Sequence, residues 1–181
     1  MATFGNTSTS GAAAIGELYD VVGGGSFLCR GKFTLSEAAN VSKLSIYLDN
    51  QGSGHAACNV RAGIYDDDGA SGKAATLKGS KEVSITDNMA VQHVDFTFAS
   101  PVSLAAGDWW LAIEGNSNAG GCRLYTQTAS ATFHASYEDY GSDLPDPPTD
   151  PFYTDSNRLA CMYATYTVPA SGNPHYYYAQ Q

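Results

Sequence analysis

Charged side chains are scarce in this sequence, and basic ones are the scarcest. Only 15% of the 181 residues are charged, with 9 Lys and Arg against 18 Asp and Glu. Such an acidic chain has no electrostatic basis for a sequence-independent grip on nucleic acid or on an anionic membrane surface. The helix formers Glu, Lys, Leu and Arg give way to Gly, Ser, Thr, Ala and Tyr, which suit short strands joined by tight turns.

Long apolar runs are also absent. No stretch approaches the ~20 residues that a membrane helix needs. The segment MATFGNTSTSGAAAIGELYD has neither a basic region nor a long apolar core, so it is not a secretory signal. We therefore expect no membrane partner, synthesis in the host cytoplasm and release by lysis, as for virion components. A mature chain that had lost its signal would look the same.

The cysteines are few and widely spaced, at Cys29, Cys58, Cys122 and Cys161. They form no CxxC pair, so a zinc site is not expected. Two disulfides would allow three connectivities, and Cys58 with Cys122 is the preferred pair because both open strands after glycine-rich loops. Four buried free thiols are the alternative, and bridges to neighbouring subunits are another.

Apolar residues recur with period two along most of the chain. The segments FLCRGKFTL, VSKLSIYLD, CNVRAGIY, VQHVDFTF and DWWLAIEG each place apolar residues on one face. Turn residues separate these segments at intervals of about 8 to 15 residues. The pattern predicts an all-β chain, a single antiparallel β-sandwich domain over residues 1–168 that is jelly-roll-like.

Two regions depart from this rhythm. Residues 128–155 hold four of the seven prolines and several aspartates, which predicts either a functional surface loop or an ordered excursion against a neighbour. The tail, residues 169–181, carries Tyr176, Tyr177 and Tyr178 in a row. Free disordered tails rarely contain such a run, so we expect this one to dock on another surface.

Several motifs together resemble a family of β-sandwich modules found in bacteriophage structural proteins and in bacterial surface or secreted proteins. They are FGNTST, KFTLSEAANVSKLSIYLD, RAGIYDDDGASGK, VDFTFASPVSLAAGDWWLAI and YATYT, and they span roughly residues 3–167. The shared pattern consists of apolar strand positions and turn glycines, so it is specific for the fold and transfers no functional residue. Related jelly rolls serve as carbohydrate-binding modules, fibre domains and capsid decorations.

The resemblance implies a non-enzymatic virion structural protein, most like a capsid decoration or cement protein at the virion surface. Its expected partners are the major capsid protein or other virion proteins. It is also expected to associate with further copies of itself, as a trimer. The alternative is a carbohydrate-binding module, or a tail-fibre or head-fibre domain, that recognises a host polysaccharide.

The stretch DDDGASGK combines fragments of two binding motifs. A phosphate loop would need Gly at position 67 and Ser or Thr at position 74, where the chain has Asp67 and Ala74. An EF-hand loop that begins at Asp66 fails at its fifth, sixth and twelfth positions. The sequence predicts a turn, with Asp66 and Asp68 as candidate ligands of a structural calcium ion in the alternative interpretation.

Catalytic constellations are missing from the sequence. No HxxxH, HExxH or GxSxG spacing is present, and no nucleophile, base and orienting group can all be assigned. The acidic residues of 128–155 lie in a loop that does not hold two carboxyl groups at the separation a glycosidase requires. We therefore predict that the protein is not an enzyme and has no cofactor.

Aromatic residues are the candidates for binding, either as a sugar-stacking platform or as a protein interface. Trp109 is expected in the core, and its neighbour Trp110 could also be covered by the insertion or by an adjacent subunit. The candidates within the sandwich domain are Trp110, Tyr125, Tyr137, Tyr140 and Tyr153.

Overall fold

The computed structural model describes residues 1–20, 25–52, 55–69, 72–116 and 118–169. Within them the chain forms strands β1 (Ala2–Gly5), β2 (Ala13–Glu17), β3 (Tyr19–Asp20), β4 (Gly25–Leu35), β5 (Ala39–Asn50), β6 (Cys58–Asp67), β7 (Ala74–Ile85), β8 (Gln92–Leu104), β9 (Gly107–Gly115), β10 (Cys122–Thr128), β11 (Phe133–Glu138), β12 (Tyr153–Asp155), β13 (Arg158–Ala160) and β14 (Met162–Thr167). In the described part of the chain one 3-10 turn, Ala119–Gly121, precedes β10. Among the described residues no helix is long and apolar enough to cross a membrane.

The strands form two sheets that pack face to face, which confirms the predicted all-β sandwich. The first sheet contains β1, β2, β5, β8, β10, β13 and β14, and β5 lies at its centre with β8, β10 and β14 as neighbours. The second sheet has the order β12-β11-β4-β9-β6-β7, with β3 beside β4. The pairings within each sheet are antiparallel.

Alternation of side chains places the core between the sheets. Leu44, Ile46 and Leu48 of β5 are fully buried there, as are Leu111 and Ile113 of β9 on the facing sheet. Burying each of these side chains stabilises the fold by roughly 1.5–3 kcal/mol relative to exposure. The same alternation puts Trp109 in this core, as predicted, and Trp110 on the opposite face of β9.

The segment 128–155 is not one insertion, which corrects the sequence prediction. It contains β11, which pairs with β4 along its whole length, and β12, which pairs with β11. Residues 129–132 and 139–152 run outside the strands, and residues 139–152 are called the strap below. The strap lies on the outer face of the second sheet of its own chain, where Leu144 packs with Leu28 and Trp110 in a second small core. The sequence alone predicts a loop at β11, because four prolines follow its alternating residues.

The predicted disulfides are absent. Cys29, Cys58, Cys122 and Cys161 are all buried free thiols. The preferred pair was correctly placed in space, since the Cys58 and Cys122 thiols hydrogen-bond to each other across the core. The prediction of a bond between them is wrong for this structure, and the free-thiol alternative holds.

Candidate functional site

The aspartates of DDDGASGK form turn contacts between β6 and β7. The Asp68 carboxylate accepts the backbone N–H of Lys73 at 3.1 Å, and Gly69 and Gly72 have φ of +70° and +66°. Asp66 pairs with Lys78, whose Nζ lies 2.6 Å from its Oδ2. Within the described ranges no group of three or more His, Cys, Asp or Glu side chains could hold a metal ion. The described residues of the stretch, which do not include 70 and 71, end β6 and lead into β7.

Trp110 does not belong to any exposed platform, because its side chain is 0% exposed. Its ring stacks on His134 with centroids 4.5 Å apart, and its Nε1 donates to Asp67 at 2.8 Å. Leu144 of the strap covers it. The sequence alternative, in which the insertion covers Trp110, is therefore confirmed, and a role in sugar stacking is not open to it in this conformation.

Tyr140 fastens the beginning of the strap. Its hydroxyl donates to Glu82 at 2.6 Å, and the Arg61 guanidinium lies over its ring, 4.5 Å from the centroid. Arg61 also donates to Glu82 and to the carbonyl of Gly141. Tyr140 thus holds the strap to β6 and β7 and is a structural residue.

The remaining strap contacts fix its end beside β11. Thr149 donates through its N–H and its hydroxyl to the Glu138 carboxylate, at 2.8 and 2.7 Å. Its carbonyl accepts from Arg30, which is itself almost wholly buried. Lys73 pairs with Asp150 at 2.8 Å. These bonds determine where the chain emerges at Phe152.

Tyr137 packs with two phenylalanines, Phe27 and Phe152, and Tyr153 lies on the adjacent strand, opposite Ala135. Tyr137 lies directly opposite Phe27 in the β11–β4 pair, with ring centroids 4.8 Å apart. Phe152 stacks on Tyr137 at 4.5 Å with an interplanar angle of 21°. Phe152, Tyr137 and Tyr153 are 56%, 49% and 38% exposed. We call Phe27, Tyr137, Phe152 and Tyr153 the aromatic patch.

The aromatic patch borders a cavity of about 310 Å³ that opens at the edge of the sandwich. Its walls come from β2 and β13 of the first sheet and from β4, β11 and β12 of the second. They are predominantly apolar, with Glu17 and Arg158 as the charged residues. The lining residues are Ile15, Gly16, Glu17, Phe27, Cys29, Phe133, Ala135, Phe152, Tyr153 and Arg158. The patch and this cavity together are called the aromatic cleft.

The cleft exists because the two sheets do not close over each other at this edge. Phe133, Ala135 and Tyr137 alternate on one face of β11, and the first two are buried while Tyr137 is not. Gly16, on the opposite wall, has no side chain to fill this space, and a Cβ there would have no other heavy atom within 4 Å. The cleft can bind an apolar or aromatic group.

The buried groups beneath the strap have displaced pKa values. Burial raises the pKa of Glu114 to about 8, against the opposing charge of Arg61, whose Nη1 lies 3.4 Å away. Burial lowers the pKa of His134 to about 4, helped by the nearby charge of Arg30. Glu114 Oε2 has no hydrogen-bond partner among the described residues. These groups lie under the strap, apart from the cleft.

Tyr125 lies on a different surface, the outer face of the first sheet. A row of half-buried rings crosses this face: Tyr125 beside Tyr47 at 5.4 Å, Tyr47 beside His93 at 5.0 Å, and His93 beside Tyr163 at 5.4 Å. Asp49 is buried next to the row and accepts hydrogen bonds from Arg123 and from the Tyr125 hydroxyl. We call this the tyrosine row.

Sequence reasoning missed Phe27 and Phe152. Phe152 follows Pro151 and precedes Tyr153. The signal for Phe152 was this adjacent aromatic pair within a stretch rich in proline and aspartate. Phe27 was assigned to the core face of β4, which is correct, but its place at the open edge depends on the sheet order. Tyr176, Tyr177 and Tyr178 lie outside the described residues.

Comparison with protein-family models and with curated protein sequences gives no match for this chain.

Proposed function

We propose that this protein is a non-enzymatic structural component of a virion, a decoration or cement protein that binds through its aromatic cleft. Its partners are further copies of itself and the major capsid protein or another shell protein. The two packed sheets supply a rigid frame, and binding energy comes from aromatic side chains that the monomer leaves exposed.

The aromatic patch is the observation that carries this proposal. Contiguous exposed aromatic side chains are unusual on a monomer and typical of the centre of a protein interface. Here they are ordered by stacking and by the strap before any partner arrives, so little side-chain entropy is lost on binding. The bordering cavity can accept an apolar anchor from the partner, as interface centres do.

The virion surface as the location is supported by the resemblance of the strand and turn motifs to modules of bacteriophage structural proteins. That resemblance covers the sandwich and not the aromatic cleft. The cleft is therefore the part of the surface that adapts a common frame to a particular partner in this proposal.

Co-sedimentation with purified particles of the virus that encodes the chain tests this function. The double variant Tyr137→Ser/Phe152→Ser should lose at least ten-fold in affinity for the particles. Val91→Ser is the matched control, because Val91 is an exposed apolar residue in another loop, and it should bind as the unaltered protein does. Equal binding by all three proteins would contradict the proposal.

Carbohydrate binding is the second candidate, and the tyrosine row favours it. Sugar C–H faces pack on aromatic rings, and the partly exposed Arg123 beside the row can donate hydrogen bonds to sugar hydroxyls. Burial lowers the pKa of His93, so its ring is neutral at pH 7 and adds no charge to the row.

A glycan array decides between the two candidates. Saturable binding to a polysaccharide that is lost in Tyr47→Ala, and retained in Tyr137→Ser/Phe152→Ser, would favour the lectin function. Absence of glycan binding together with particle binding would favour the cement function. Trp110 is not a suitable probe, because its substitution would damage the fold.

A further inference from the structure

We infer that the aromatic cleft of one copy receives the tyrosine-rich C-terminal segment of a second copy, with residues 176–178 as the inserted group. This inference rests on the proposed function in that it assumes assembly of copies. It names the occupant of the cleft and the part of the partner that enters it.

The size and chemistry of the cleft match this occupant. A cavity of ~150 Å³ is sufficient for one benzene ring in a protein interior, and the cleft measures about 310 Å³. Its walls are aromatic, and paired rings at offset or tilted angles attract each other beyond their area of contact. The cleft therefore has room for about two tyrosine rings, by the same comparison.

The polar ends of tyrosines also find a partner at this site. Arg158 lines the cleft and uses its Nε and Nη1 in bonds to Asp155 and Thr126. A guanidinium has five N–H donors, so further donors remain for a tyrosine hydroxyl. Residues 170–181 include no Asp, Glu, Lys or Arg, so burying the segment removes no charged side chain from water.

The position of the chain end favours a second copy over the same copy. β14 ends at Thr167, which pairs with Asn40 at the start of β5, close to the end of β4 at Leu35. Phe27 lies eight residues earlier on β4, ~26 Å along the strand. The nine residues from Thr167 to Tyr176 reach at most ~30 Å.

A segment returning to its own cleft would therefore have to be almost fully extended to bring Tyr176 beside Phe27. A neighbouring copy can present its segment from any direction. The geometry thus places this contact between copies, where it links one sandwich to the next.

The test uses the full-length chain and a labelled peptide of residues 170–181. In the tail variant, Tyr176→Ser/Tyr177→Ser/Tyr178→Ser, the chain's own segment cannot compete for the cleft. We expect saturable binding of the peptide to the tail variant by fluorescence anisotropy. Adding Gly16→Leu, which fills the cleft from a position with free space, should weaken that binding at least ten-fold.

Ala13→Leu is the control, since Ala13 is an exposed residue on the same strand and does not line the cleft. Thermal unfolding of each variant checks that the sandwich is intact. Sedimentation velocity of the unaltered chain should show concentration-dependent association that the tail variant loses. Absence of peptide binding, or binding unaffected by Gly16→Leu, would overturn the inference.

Three further outcomes separate the possibilities. Peptide binding combined with a monomer at every concentration would mean that the segment occupies its own cleft, which also overturns the inference. If the tail variant still binds particles fully, the inference fails and the cement function survives. If the peptide binds as expected but no form of the chain binds particles, the proposed function fails and this contact between copies stands.

Discussion

At the scale of single residues, the two adjacent tryptophans are both buried, but they pack against different neighbours. Trp109 lies in the core between the sheets, and Trp110 lies in the small core beneath the strap. Period two predicts that they point to opposite faces, but it does not show that the outer face of β9 is covered. The covering residue, Leu144, comes from a segment whose prolines predict only irregular backbone.

Replacing Trp110 should therefore act on stability. Trp110→Ala removes a buried aromatic ring and leaves a cavity, which should lower the free energy of unfolding by about 3–5 kcal/mol. Phe152→Ala, at an exposed ring of the patch, should change it by no more than about 0.5 kcal/mol. Urea unfolding of both variants is the measurement, and equal losses would show that Trp110 is not buried as described.

The thiols should be unreactive in the folded protein. Burial raises the pKa of Cys29 to about 12 and that of Cys161 to about 11. The hydrogen bond with Cys58, together with burial, raises the pKa of Cys122. The same hydrogen bond lowers the pKa of Cys58, so the protection of that thiol depends on its burial. Since the thiolate is the reactive form, a chromogenic disulfide reagent at pH 8 should label the native chain very slowly.

The same reagent should label all four cysteines once the chain is unfolded in guanidinium. Rapid labelling of one or more thiols in the native protein would contradict the described burial.

At the scale of elements, the strap determines how the cleft is displayed. Arg61 and Tyr140 hold its beginning and Thr149 holds its end, so Phe152 emerges beside Tyr137. The presence of β4, β5, β6 and β9, and the face on which each of their side chains lies, could be predicted from the alternation of apolar residues. The strap contacts could not, because they join residues far apart in sequence whose types, Arg, Glu, Thr and Tyr, are usual at any surface.

Glu114 should make stability depend on pH. Its folded-state pKa of about 8 exceeds the unfolded value of ~4.3, so the folded state binds the proton more tightly. The contribution is fully present below about pH 4.3 and is lost as the pH rises towards 8. Glu114→Gln should abolish this decline, measured as the free energy of unfolding between pH 5 and 8.

Glu82→Gln provides the control of opposite sign. The hydrogen bond from Tyr140 lowers the pKa of Glu82, against a smaller effect of burial. Its contribution is therefore present above the unfolded pKa and is lost on acidification. A decline in stability between pH 5 and 8 that is unchanged in Glu114→Gln would contradict the buried, protonated state of Glu114.

At the scale of the whole molecule, the sandwich holds two aromatic surfaces apart on a rigid frame. The aromatic cleft lies at one open edge and the tyrosine row crosses the outer face of the first sheet. Composition and turn spacing predicted the frame correctly, because burial of alternating side chains dictates it. Which tyrosines lie on the same surface depends on the order of strands in the sheets and on the position of β11. Neither can be deduced from the positions of the aromatic residues in the sequence.

Electron microscopy of the virus particles to which the proposed function assigns this chain tests the central claim most directly. We predict copies of the sandwich on the outside of the shell, with Phe27, Tyr137, Phe152 and Tyr153 covered by a neighbouring protein chain. Particles that lack the chain, or that carry it with the aromatic cleft open to solvent in every copy, would contradict it.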